Sequence, residues 1–189
     1  MQYPGSPVLA EQLLRDADEH RLCDLNVDEV PSLKKKPIMQ KGDSFHPEAY
    51  QYFLPQSSKH PVIFIDPAYD EDEDFFRAKQ LMERILDANP YATVILWYPM
   101  INKHKHRFGY IKQLKDMVQK KAKVGHYNCW VTVQKEGMQG STVFIANPTP
   151  QFDDVVDEEV ADWLSAILLK VGRSDYCVEQ WMKKPKKEG

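Results

Sequence analysis

Cysteine is scarce: three among 189 residues, at positions 23, 129 and 177. Three thiols cannot all pair within one chain, and their wide spacing excludes a CxxC metal knuckle. A reducing, cytoplasmic compartment is the expectation, with Cys23 and Cys129 read as packing thiols inside apolar runs. Long hydrophobic runs are missing too, since nothing approaches the roughly 18 apolar residues of a membrane span. Met1 to Ala10 lacks the basic start and apolar core of a signal peptide. Neither charge sign dominates: 25 Lys plus Arg face 28 Asp plus Glu, a formal net charge of -3. No global positive field therefore announces nucleic acid, and any phosphate contact must be local. The eight glycines are scattered, and no Gly-x-Gly loop follows a strand-like run. What is present, 42% hydrophobic and 11% aromatic residues, suffices at this length for one sizeable core.

Periodicity predicts alternating elements. Val8, Leu9, Leu13, Leu14 and Ala17 recur at helical spacing behind Ser6 as cap and Pro7 at the first helical position, predicting a helix over Pro7–His20. Arg21–Leu25 and Pro37–Lys41 read as short strands flanking a helix over Val27–Lys36. Pro61–Ile65 contains the continuous run Val-Ile-Phe-Ile, the pattern of a parallel strand covered on both faces. A helix over Phe75–Leu86 and a second apolar strand, Ala92–Trp97, stopping at Tyr98-Pro99, follow. After a basic helix over Lys105–Lys121, the runs Gly125–Gln134 and Ser141–Ala146 read as an antiparallel hairpin. Val155–Leu169 predicts a last amphipathic helix with Asp157, Glu158 and Glu159 in its first turn. The expected fold is a doubly wound α/β sheet with an antiparallel edge, one body over residues 1–170, and a basic, frayed tail over 171–189.

In open α/β sheets ligands sit beyond the carboxyl ends of the strands, which singles out Asp24, Asp43, Asp66, Tyr98 and Asn147. Turn chemistry alone also favours Asp at such positions. Asp66-Pro67-Ala68-Tyr69, directly after the most apolar strand, admits a mechanism. The exocyclic amine of a nucleobase is a poor nucleophile because its lone pair is delocalised into the ring. Acceptors on both of its N–H groups, the Asp66 carboxylate and the Pro67 carbonyl, favour a pyramidal nitrogen. Tyr69 offers a ring on which a base stacks.

That tetrapeptide resembles the (Asp/Asn)-Pro-Pro-(Tyr/Phe/Trp) motif of S-adenosylmethionine-dependent amino-methyltransferases. With Tyr3-Pro4-Gly5-Ser6-Pro7, Leu96-Trp97-Tyr98-Pro99 and Ile145-Ala146-Asn147-Pro148 in the same order, the chain resembles the bacterial J-type large-subunit ribosomal RNA adenine-N6 methyltransferases from Tyr3 to about Leu169. That family is also catalogued as proteins involved in catabolism of external DNA. The resemblance implies a Rossmann-like class I methyltransferase fold and S-adenosylmethionine as cofactor. It implies Asp66, Pro67 and Tyr69 at the target amine, and Ser6, Asp24, Asp43 and Ser44 on the cofactor, Asp24 through the ribose hydroxyls. The reaction implied is a single in-line displacement without metal, on large-subunit ribosomal RNA free of ribosomal protein. Two departures are evident: Ala68 replaces the second proline, and the family's first strand and Gly-rich loop have no counterpart here.

Other features weigh less. His104 and His106 sit two apart among lysines, a poor metal pair and a better solvated or RNA-facing loop. Lys112, Lys115, Lys120, Lys121 and Lys123 make a basic band open to solvent or phosphate, and the tail adds Lys183, Lys184, Lys186 and Lys187. The acid run Asp70–Asp74 suits a helix amino terminus and repels phosphate. Trp97 and Trp163 fit apolar faces. The competing readings are a non-catalytic remnant with residual RNA affinity and a protein acting in the utilisation of external DNA, the latter without a nuclease metal cluster.

Overall fold

The computed structural model describes residues 5–24, 37–41, 60–101, 107–132, 138–149, 152 and 175–182. These fall into two compact units, residues 1–53 and residues 54–189, each described by itself. The expected helices over Val27–Lys36 and Val155–Leu169 lie outside the described residues.

The first unit contains helix α1 (Gly5–Leu13) and strands β1 (Arg21–Asp24) and β2 (Ile38–Lys41). Gly5 enters α1 at φ +76°, a backbone region that glycine adopts without steric cost. The helix stops at Leu13, short of the expected His20, because Arg15 and Asp18 close a polar turn: the Arg15 N–H donates to Asp18 Oδ2 at 2.8 Å. Strands β1 and β2 pair in parallel, Arg21 opposite Ile38 and Asp24 opposite Lys41.

The second unit is built on a five-stranded sheet in the order β3-β4-β6-β5-β7, formed by β3 (Val62–Ile65), β4 (Thr93–Ile101), β5 (Gly125–Thr132), β6 (Met138–Ala146) and β7 (Asp175–Met182). Among the described residues, helices α2 (Asp72–Ala88) and α3 (Arg107–Lys121) also belong to it, with α2 against β4 and α3 against both α2 and β5. The stripe Ala78, Leu81, Met82, Ile85 and Leu86 of α2 is buried, each larger side chain worth about 2 kcal/mol of apolar transfer. Asp72, Glu73 and Asp74 occupy the first turn of α2, where the helix dipole favours negative charge. The Glu71 N–H donates to Asp74 Oδ2 at 3.0 Å. β3 and β4 are parallel, and β5 and β6 form the expected antiparallel hairpin. The chain therefore has the expected Rossmann-like α/β class.

Four expectations need correction. The strands fall into two sheets rather than one, because among the described strands β1 and β2 hydrogen-bond only to each other. β3 is covered on one face: Ile63 and Ile65 are 5% exposed, whereas Val62 is 68% and Phe64 48% exposed. Among the described strands it lies at one edge of its sheet, and its outward face lacks the second cover that such runs have in sheet interiors. β4 does not stop at Tyr98-Pro99 but continues to Ile101, pairing with β6. β3 ends opposite Leu96, so the edge that Pro99 shares with Trp97 has no β3 residue to receive an N–H, and the imino nitrogen costs no ladder bond. Finally, residues 175–182 of the expected frayed tail form β7 against β5. Tyr176, Val178 and Trp181 supply the aromatic and β-branched content of a strand.

Candidate functional site

The carboxyl end of β3 leads straight into Asp66-Pro67-Ala68-Tyr69. Asp66 is exposed and Pro67 half-buried. Although the residue reaches solvent, desolvation of its carboxyl by the surrounding sheet end raises its pKa from the ordinary carboxylate value. This strengthens it as a hydrogen-bond and proton acceptor.

Tyr69 is held differently. It is 5% exposed and adopts φ +55°, one of two non-glycine residues with positive φ among the described ones. Its hydroxyl donates to the Trp97 carbonyl, and burial raises its ionisation. Its ring centroid lies 4.6 Å from that of Phe75 and 6.0 Å from that of Trp97. Phe75 meets Tyr110 edge-on at 5.8 Å, and Tyr110 meets Tyr98 likewise at 5.8 Å. A run of aromatic rings thus underlies the motif loop, drawn from α2, β4 and α3. Sequence reasoning gave Trp97 no chemistry and did not single out Phe75 or Tyr110. An aromatic in the first turn of each helix beside the sheet end was the available signal.

Of the remaining strand-end candidates, Asp24 is exposed at the carboxyl end of β1 and Ser6 half-buried in the first turn of α1. Both belong to the first unit, whereas Asp66, Pro67 and Tyr69 belong to the second. Asp43, Ser44, His104 and His106 lie outside the described residues. Tyr98 is no strand end: it is 1% exposed, inside β4.

Asn147 sits at the other end of the sheet from Asp66. It follows β6, which runs antiparallel to β4, so its carboxyl end lies beside the amino ends of β4 and β5. There the Thr93 Oγ1 donates to the Asn147 carbonyl at 2.8 Å, and the Asn147 N–H donates to the Gly125 carbonyl at 2.9 Å. The side chain accepts from the N–H groups of Lys123 and Val124, both at 2.9 Å. It donates to the carbonyls of Pro90 and Ala92 at 2.9 and 2.8 Å. Every polar capacity of its amide is thereby used within the fold.

The basic band is partly neutralised: Lys121 pairs with Glu83 at 3.3 Å and with Asp87, and Lys112 approaches Asp116 at 4.0 Å. Among the described residues no helix is long and apolar enough to cross a membrane.

Residues 1–182 match the RsmJ family, described as Ribosomal RNA large subunit methyltransferase D, RlmJ. The chain is 26% identical over 196 residues to the Ribosomal RNA large subunit methyltransferase J of Escherichia coli (strain K12), covering 95% of this chain and 65% of that protein. It is 23% identical over 182 residues to the protein of that name from Haemophilus influenzae, covering 94% and 64%. The crystal structure of protein LPL1258 from Legionella pneumophila shares the fold, with a TM-score of 0.75 at 24% identity over 94% of this chain and 66% of that one. The chain thus spans slightly less than two thirds of the length of these relatives. Because the family match runs through every described element from α1 to β7, the chain belongs to the RsmJ family of ribosomal RNA large subunit methyltransferases.

Proposed function

We propose that the chain carries the acceptor site of an S-adenosylmethionine-dependent methyltransferase acting on the N6 amine of an adenine in large-subunit ribosomal RNA free of ribosomal protein. The observation that carries this reading is the Asp66 carboxylate, exposed at the end of a strand whose inward face is buried and raised in basicity by its surroundings. A carboxylate there accepts one N–H of an exocyclic amine, and the Pro67 carbonyl accepts the second. Together they orient the amine and favour the pyramidal nitrogen that attack requires, mainly through proximity and electrostatic alignment. Family membership supports ribosomal RNA as the substrate.

S-adenosylmethionine, when bound, supplies an electrophilic methyl group. The exposed Asp24 at the end of β1 has the acceptor chemistry for vicinal ribose hydroxyls, and Ser6 offers a hydroxyl. Asp43 and Ser44 complete the proposed set.

Two measurements test the reading. Calorimetric titration of the chain with S-adenosylhomocysteine is expected to show micromolar binding that is lost in Asp24→Ala. A folded chain without detectable binding would favour a non-catalytic protein. Label transfer to deproteinised ribosomal RNA is expected to fall at least a hundredfold in Asp66→Ala, and equal incorporation by wild type and variant would remove Asp66 from the chemistry.

A further inference from the structure

Resting on that reading of the acceptor site, we infer that the outer rim between the amino-terminal halves of α2 and α3 docks a single-stranded RNA nucleotide flanking the target adenine. Its base stacks on Phe76 and its phosphate meets Lys79 and Lys112. Contacts to flanking nucleotides are how enzymes that act on an unstacked base read its surroundings. Phe76 is 42% exposed and follows Phe75, whose ring lies 4.6 Å from that of Tyr69 in the motif loop. Two contacts place it against α3. Phe75 meets Tyr110 edge-on at 5.8 Å, and the Lys79 ammonium donates to Gln113 Oε1 at 3.4 Å. The two helices therefore run side by side and in step, and Phe76 stands level with the start of α3.

A lone exposed ring is ordinary, but the surroundings of this one are those of a nucleotide contact. Lys79 Nζ lies 5.1 Å from the centre of the Phe76 ring. Such a contact is weak at an exposed site, so a base takes over the ring face and leaves the ammonium beside its phosphate. The Lys112 side chain is 81% exposed, with Asp116 at the 4.0 Å limit of an ion pair. The first turn of α3 carries no acid, whereas Asp72 and Glu73 are exposed one turn before Phe76. This asymmetry sets the strand's orientation, phosphate toward α3 and base toward α2. Gly109 supplies an independent sign. It is exposed within α3, its backbone is not left-handed, and a side chain begun there would meet no atom within 4 Å. Neither backbone nor packing calls for glycine, which a helix disfavours against alanine. Gly109 lies one turn before Gln113, on the same face of the helix, so its clearance lets a sugar-phosphate approach the helix backbone beside Lys79.

Filter binding of the whole chain to deproteinised large-subunit ribosomal RNA tests this without turnover. Phe76→Ala is expected to raise Kd at least about fivefold, the loss of one stacked base, while Phe76→Tyr, which keeps the ring face, stays within about twofold. Gly109→Gln is the sharper variant. Its urea midpoint is expected to equal or exceed that of wild type, because glycine leaves the helix, and yet its Kd rises at least about fivefold because the clearance is filled. Lys79→Gln and Lys112→Gln are each expected to reduce the salt dependence of log Kd by roughly 0.7, one single-strand phosphate contact. Where label transfer is measurable, Phe76→Ala raises KM for RNA and leaves kcat within about twofold. Retention of the RNA by Phe76→Ala or by Gly109→Gln as tight as by wild type would overturn the inference, as would a wild-type chain that retains none. Equal label transfer by wild type and Asp66→Ala would instead sink the acceptor reading and leave the docking surface standing.

Discussion

Replacing Asn147 with alanine is expected to destabilise the second unit more than any substitution at the motif loop. The side chain is part of a residue 3% exposed, and its loss removes a bond from the N–H groups of Lys123 and Val124 and from the carbonyls of Pro90 and Ala92, although the Lys123 N–H still donates to the Pro90 carbonyl at 3.2 Å. A buried backbone group left without a partner costs about 1 to 3 kcal/mol. Only the Val124 N–H and the Ala92 carbonyl lose the partner they have here, at about 1 kcal/mol or more each, about 2 to 3 kcal/mol in all. Alanine must also hold φ +49°, a region that asparagine tolerates better, at an added cost of about 1 kcal/mol. The sum, about 3 to 4 kcal/mol, is a large share of the roughly 5 to 15 kcal/mol by which domains are stable. Asn147→Gly relieves the backbone but loses the same four bonds, so it should stand about 1 kcal/mol above the alanine variant. Asn147→Asp keeps two acceptor contacts but turns a negative charge toward two carbonyls, and should also be strongly destabilised. Urea unfolding followed by tryptophan fluorescence is the suitable assay, because all four tryptophans lie beyond residue 54, in the second unit. An alanine variant within about 1 kcal/mol of wild type would refute the reasoning, as would a glycine variant weaker than the alanine one.

Three further outcomes are expected. His126 is 2% exposed and stacked on Phe144 at 4.9 Å, and burial, followed by the charge of Lys115, lowers its pKa to about 4. The folded state therefore binds fewer protons than the unfolded one between about pH 4 and the ordinary histidine value of about 6.5, so stability falls as pH drops through that window, by at most about 3 kcal/mol. His126→Phe should flatten the dependence in urea midpoints at pH 7 and pH 4.5, and identical slopes would contradict this. Lys121→Met, which removes the pairings between α3 and α2, should cost about 0.5 to 1 kcal/mol at low salt and about half of that in 1 M salt, as a partly exposed pair allows. Val62→Ser, at a residue 68% exposed, should change stability by less than about 0.5 kcal/mol, while Ile63→Ala, at 5% exposed, should cost about 2 to 4 kcal/mol by the same denaturation assay. Equal effects would mean that both faces of β3 are covered in solution.

Much of this architecture is legible in the chain itself. The apolar runs of β3 and β4, the stripe of α2 from Ala78 to Leu86, the acids Asp72 to Asp74 ahead of it and the β5–β6 hairpin are local patterns of hydrophobicity, capping and turn residues. Such patterns survive without knowledge of neighbours. The readings that failed depended on partners distant in sequence. Pro99 reads as a stop until β3 is seen to end opposite Leu96. Residues 175–182 read as tail until β5 offers them an edge. Asn147 reads as a ligand-bearing strand end until β6 proves antiparallel and carries it to the opposite end of the sheet.

The same division runs through the site. Residue order alone made Asp66-Pro67 a candidate pair of acceptors after a buried strand, because the chemistry of a carboxylate and a carbonyl belongs to the residues themselves. Which groups remain available to a ligand is a matter of packing. Tertiary structure leaves Asp66 exposed and encloses Tyr69 among Phe75 and Trp97, and it commits the whole amide of Asn147 to backbone groups from two turns. Exposure and hydrogen-bond commitment are set by residues tens of positions apart, whose meeting no local pattern encodes.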